Sequence, residues 1–191
     1  MSTYGQTIDE ALQVLESLRE LEPAVDVAAA WCVETLATGH KLLLCGNGGS
    51  AAEAQHLAGE LVGRYTVNRR ALPAIALAAD ASVLTCIGND FDYQRVFARQ
   101  IAALGLPGDL LVAFSTSGNS PNVLAALEAA GNLGMRSIAL LGSDGGRARE
   151  LAGCALVVRH AKTARAQEGH QFLVHCLMDR IEAAIAAEGA A

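Results

Sequence analysis

A chain of 191 residues, 52% apolar and rich in alanine, is long enough for one domain with a substantial core and too apolar for disorder. Its formal net charge of −6 argues against a nucleic-acid backbone as direct partner, because that binding rests on clustered Lys and Arg. Five scattered cysteines without a C-x-x-C pair argue against a zinc knuckle or a disulfide scaffold and fit a reducing cytoplasm.

The N-terminus lacks the charged and apolar regions of a signal peptide, and no apolar run approaches the roughly 18 residues that span a bilayer, so a soluble, unexported protein is expected. Residues 1–38 read as helical with a break near Pro23. Ile8, Leu12, Leu15 and Leu18 recur there at helical spacing, a stripe that packs on the parent domain or on another subunit. This region is read as an assembly element.

Five apolar runs follow: KLLLCG (41–46), PAIALAA (73–79), DLLVAFS (109–115), SIALLG (137–142) and ALVVRH (155–160). None alternates with period two, which predicts a parallel sheet buried on both faces. The spacers predict helices over 50–64, 92–103, 120–133 and 144–152, with Pro121 opening the third behind Ser120 as N-cap. A last helix is expected from about 165 to 188, ending in an alanine-glycine tail that frays. The expectation is an α/β chain, a three-layer αβα sandwich with a five-stranded parallel sheet. It forms one domain over 1–191, divided into a helical assembly region (1–38), a sheet core (39–163) and a C-terminal helix (164–188).

Two loops follow predicted strands at the edge where open parallel sheets bind ligands. Gly46, Asn47, Gly48, Gly49 and Ser50 allow close backbone approach to an anion at a helix start. Residues 46–51 also read as G-x-G-x-x-A, and Asp80 ends the second strand, so a dinucleotide site and a plain tight turn both remain open. STSGNSPN (115–122) offers three serines and a threonine at a helix start, suited to a phosphate or to capping its own helix. Two such loops fit a phosphorylated polyol better than a long dinucleotide.

His56 and Glu60, four apart, share a helix face and suit a divalent ion, acid–base work or a plain solvated contact. On the last helix Gln171 and His175 are four apart, whereas Gln167 is eight residues, about 12 Å, from His175.

The segments CGNGGSAAEAQHLAGELVGRY, LPAIAL, IGNDFDYQRVFARQ, GDLLVAFSTSGNSPNV and QEGHQFLVHC, spread over nearly the whole chain, resemble the sugar isomerase (SIS) domain family, closest to members that isomerise sedoheptulose 7-phosphate. The resemblance implies a homotetramer with sites between subunits, one zinc per subunit, and an aldose-ketose isomerase serving bacterial heptose and lipopolysaccharide synthesis. It implies that Asn47, Gly48, Gly49 and Ser50 line the sugar, Asn89 and Asp90 touch its hydroxyls, and Ser115, Thr116, Ser117 and Ser120 hold the phosphate. It further implies metal ligation by His56, Glu60, Gln167 and His175, with Glu60 and His175 as acid and base and Gln167 also near substrate. Because the family favours Gln167 where spacing favours Gln171, Gln167 is expected at or before the helix start, or neighbouring subunits supply different ligands. Ala166 and Arg70 depart from the family pattern. Alternatives from other classes are a non-catalytic SIS protein binding the replication initiator and an NAD-dependent oxidoreductase. An SIS transcription regulator is disfavoured, since no helix-turn-helix precedes the domain.

Overall fold

A computed structural model describes residues 3–188, so the last three residues of the tail lie outside the described residues. The first helix, α1 (Tyr4–Ser17), starts with a capping box in which Thr3 Oγ1 accepts from the Gln6 N–H at 3.2 Å and Gln6 Oε1 from the Thr3 N–H at 2.8 Å. A 3-10 turn, Leu18–Leu21, separates it from α2 (Glu22–Ala37). The expected break therefore falls just before Pro23, which sits in the first turn of α2 where its missing N–H leaves no bond unmade.

The five strands are β1 (Leu42–Cys45), β2 (Ala74–Ala76), β3 (Leu110–Ser115), β4 (Arg136–Gly142) and β5 (Cys154–Val158). They pair in parallel in the order β2-β1-β3-β4-β5. Successive residues feed opposite cores, so Leu42 and Leu44 face one layer while Leu43 and Cys45 face the other. The first layer is built by α1, α2, α3 (Gly49–Val62) and the 26-residue α8 (Thr163–Glu188), through side chains such as Val25, Leu57, Leu61, Val174 and Ile181. The second holds α4 (Ala81–Asp90), α5 (Ala98–Leu104), α6 (Pro121–Asn132) and α7 (Ala148–Leu151), through Ile87, Ile101, Val123, Leu127 and Ala148. Both faces are covered over β1, β3, β4 and β5, which is why these strands read as unbroken apolar runs, while the edge strand β2 leaves Ile75 exposed.

Three elements differ from the reading of the sequence. Helix α4 was not expected; Asp80 Oδ1 starts it by accepting the Val83 N–H at 3.0 Å, and the Gly88-Asn89 pair inside it had disguised the helical pattern. The expected 92–103 helix splits into a 3-10 turn, Tyr93–Arg95, and α5. The 144–152 helix shrinks to α7 because Gly145 and Gly146, at φ 92° and 49°, form a turn instead. Asp80, considered as a partner for a dinucleotide ribose, serves as a helix cap.

From β1 the chain crosses to β2 on one side, and from β3 to β4 on the other. The loops leaving the carboxyl ends of β1 and β3 therefore diverge and open a crevice, the switch point at which such sheets take ligands. Both loops singled out in the sequence lie there.

Candidate active site

Helices α3 and α8 lie side by side and run in the same direction, meeting through a ladder of polar pairs. At the first rung the Gln167 amide rests against Gly49, so closely that a Cβ on residue 49 would overlap it. At the second, His170 Nδ1 faces Glu53 Oε2 at 3.6 Å, with the His170 ring fully buried and edge-on to Phe114. At the third, His56 Nε2 lies 3.1 Å from Glu60 Oε1 and 3.3 Å from His175 Nε2, and the Gln171 amide nitrogen is 3.0 Å from the same His175 nitrogen. Beyond the end of α3, Glu182 accepts from the Tyr65, Thr66 and Val67 N–H groups at 3.1, 2.9 and 3.0 Å and from the Thr66 hydroxyl at 2.7 Å.

Glu60 and His175, 115 positions apart in sequence, are thus brought together, and the ligating atoms of His56, Glu60 and His175 all lie within 4.8 Å of one another. Gln167 stands in the second turn of α8, not at or before its start, because α8 begins at Thr163. Within one chain it is Gln171 that reaches His175, while Gln167 reaches the glycine turn.

Two imidazole nitrogens 3.3 Å apart need a proton or a cation between them. Glu60 Oε2 is buried without a hydrogen-bond partner among the described residues. Two imidazoles and a carboxylate are the donor set of a divalent cation held by three protein ligands with a position left open, so these residues fit such an ion.

Around this cluster lie residues that spacing alone did not reveal. The Tyr65 ring stacks on His175 with centroids 5.7 Å apart. Burial, then the Asp179 carboxylate and Glu60, push the Tyr65 phenol above its ordinary value. Arg69, with its side chain 4% exposed, donates to the carbonyls of Glu60 at 2.6 Å and Leu61 at 2.9 Å, closing the C-terminus of α3 with a cation. Its Nε lies 3.2 Å from Glu182 Oε1, an ion pair whose angle makes no hydrogen bond. Burial alone would raise the Glu182 carboxyl, but the Thr66 hydroxyl and the three amides outweigh it and hold the group at about 2.

The second loop leaves β3 beside the glycine turn. Ser120 takes the N-cap position of α6, yet its side chain makes no cap bond; its Oγ lies 3.3 Å from Ser115 Oγ, leaving hydroxyls grouped at a helix N-terminus. Ser115 Oγ also accepts the Gly118 N–H at 3.1 Å, and Ser117 Oγ the Asn119 N–H at 3.1 Å. Gly118, at φ 63°, is wedged against the 145–146 turn, where any side chain would strike the Gly145 carbonyl. The Arg147 N–H to Asn119 Oδ1 bond at 3.1 Å and the Ala148 N–H to Gly118 carbonyl bond at 2.9 Å complete the lock.

Asn47, from the glycine turn, exchanges two amide hydrogen bonds of 2.8 Å with the buried Asn122 at the start of α6. That pair ties the two loops across the crevice. Asn89 and Asp90 occupy the end of α4, where Asn89 Nδ2 donates to Asp90 Oδ1 at 2.8 Å and the Cys86 thiol approaches Asp90 at 3.5 Å.

The SIS domain profile matches residues 6–142 of this chain. The phosphoheptose isomerase of Citrifermentans bemidjiense is 49% identical over 178 residues, covering 93% of each chain. Among solved structures, the phosphoheptose isomerase of Neisseria gonorrhoeae superposes with a TM-score of 0.87 at 41% identity, covering 93% of this chain and 95% of that one. The phosphoheptose isomerase of Francisella tularensis gives a TM-score of 0.90 at 37% identity, covering 94% and 96%.

Proposed function

The chain belongs to the SIS domain family, and from that membership and its likeness to phosphoheptose isomerases we propose that it converts sedoheptulose 7-phosphate to D-glycero-D-manno-heptose 7-phosphate. The observation that carries the reading is the meeting of a carboxylate and an imidazole from distant segments, Glu60 and His175, in a chain that also carries a hydroxyl-lined loop at the sheet's switch point.

The reaction moves one proton between adjacent carbons and another between their oxygens, through an enediol. Glu60 is the group that takes the proton from the carbon next to the carbonyl and returns it to its neighbour. Its buried, unpartnered Oε2 is an acceptor with no competing donor among the described residues. His175 serves the oxygens, giving a proton to the carbonyl as the enediol forms and recovering one as it collapses. Ser115, Thr116, Ser117 and Ser120 hold the phosphate with the N-terminus of α6, and the 46–50 turn with Gln167 lies along the sugar. Gripping the non-reacting phosphate end fixes the reacting carbons, so remote binding energy lowers the chemical barrier.

His56, Glu60 and His175, with a glutamine amide, would hold a zinc ion. When bound, it would supply Lewis-acid polarisation of the sugar oxygens or hold α3 and α8 in register.

The whole chain is read as one SIS domain whose copies form a homotetramer with sites between subunits. Supporting this is an apolar groove of about 540 Å³ between α1, α2 and α8, where Leu12, Leu15 and Phe172 remain exposed. A cytoplasmic location suits five free thiols, and no helix among the described residues is long and apolar enough to cross a membrane. With that product goes a role in supplying heptose to a bacterial glycan, lipopolysaccharide being one such consumer. The dinucleotide alternative loses its acidic partner, since Asp80 Oδ1 caps α4, and the initiator-binding alternative gives the Glu60–His175 meeting no task.

The direct test is incubation of the purified protein with sedoheptulose 7-phosphate, with and without chelator and added zinc, followed by product analysis. Glu60→Gln is expected to lower turnover at least about a hundredfold, the scale of a lost general base, while sugar phosphate still binds. Near-wild-type turnover in that variant removes Glu60 from the role.

A further inference from the structure

Beside the phosphate loop, Asn47, Asp92, Tyr93, Gln94, Ser120 and Asn122 line a cavity of about 340 Å³. Ser120 and Asn47 are shared with the site described above. Asp92, Tyr93 and Gln94 are not; they come from the 3-10 turn that replaces the expected helix. Asn89 and Asp90 do not line this space.

The donors and acceptors on this wall are unevenly used. The Tyr93 hydroxyl donates to Asn47 Oδ1 at 3.2 Å, which with the Asn122 bond saturates that carbonyl and leaves the phenol oxygen free to accept. Asp92 Oδ1 accepts the Gln94 N–H at 2.7 Å, and its second oxygen has no partner among the described residues. The wall thus presents acceptors and one negative charge, opposite a loop of hydroxyls at a helix N-terminus. A phosphate dianion is drawn to the loop and repelled by the carboxylate, whereas sugar hydroxyls, as donors, suit the carboxylate and the phenol oxygen.

We propose that Asp92 and Tyr93 are specificity-determining residues that receive the hydroxylated chain of the ligand next to its phosphate, so that the site takes a polyol monophosphate in one direction and prefers it to bare phosphate. The proposal rests on the phosphate-loop reading of the preceding section. Tyr93 acts in part through Asn47, setting the width between the two loops, and Asp92 acts by charge. Both belong to a turn that neither the metal cluster nor the hydroxyl loop requires.

Calorimetric titration of full-length wild type, Tyr93→Phe and Asp92→Asn separates the contributions, with inorganic phosphate and sedoheptulose 7-phosphate as ligands. Both substitutions are conservative, and asparagine keeps the cap of the turn. Each variant is expected to bind the monophosphate about three- to tenfold more weakly, the scale of one lost hydrogen bond, with inorganic phosphate affinity within about twofold. Unchanged ratios in both variants, or an equal loss for inorganic phosphate, overturn the proposal. Wild-type turnover is measured alongside: binding without turnover defeats the isomerase reading but leaves the ratios decisive, and turnover with unmoved ratios defeats the wall alone. If Asp92→Asn does not fold, the monophosphate-to-phosphate ratio of Tyr93→Phe decides.

Discussion

Glu182 takes four hydrogen bonds from residues 65–67 and so fixes the chain immediately after α3, including the Tyr65 ring stacked on His175. Its carboxyl is held at about 2 against an ordinary 4.5, so the folded state keeps it ionised where the unfolded chain has already taken up a proton. The stabilisation is complete above about pH 4.5 and is lost as pH falls toward 2. Glu182→Gln is expected to lower stability near neutrality by on the order of 2 to 3 kcal/mol and to flatten the acid limb in that window. Urea melts at stepped pH check this, and parallel acid limbs for variant and wild type contradict it. No motif marked Glu182, because its partners are backbone amides 115 to 117 positions away. His56 with Glu60 and Gln171 with His175 were legible as same-face pairs, since four-residue spacing is a local property of a helix.

The register between α3 and α8 belongs to the scale of elements, and no sequence period encodes it. It is set by where β1 and β5 deliver the two helices, so the partner of Gln167 emerged only in three dimensions, as Gly49. The sheet itself was legible, because strands buried on both faces leave unbroken apolar runs; α4 was not, because Gly88 and Asn89 interrupt its pattern. The Glu53–His170 rung offers a test of the helix pair. His170→Leu leaves Glu53, 7% exposed, without its polar neighbour and is expected to lower stability by about 1 to 2 kcal/mol. Adding Glu53→Leu should recover part of that loss, since an apolar replacement of both partners leaves no orphaned polar group. Additive losses in a double-mutant cycle would show that the two side chains do not interact.

On the scale of the whole molecule, the apolar stripe of α1 divides in two. Leu18, 5% exposed, enters the core, whereas Leu12 and Leu15, at 59% and 39%, stay open to solvent beside Phe172. The sequence showed the stripe but not which part the parent domain would use, because that depends on the bend at Leu18–Leu21. If the open part joins subunits, Leu12→Glu with Phe172→Glu should reduce the mass measured by light scattering while the circular dichroism stays that of the wild type. An unchanged mass places the interface elsewhere. The interlock of the 115–120 loop with the 145–146 turn acts on the same scale, for it braces the receptor against a second crossover of the sheet. If this loop takes the phosphate as proposed, an arriving dianion meets a cradle already set in shape. Little of its attraction is then consumed in ordering the chain, and more is left for holding the far end of the sugar against its reactive partners.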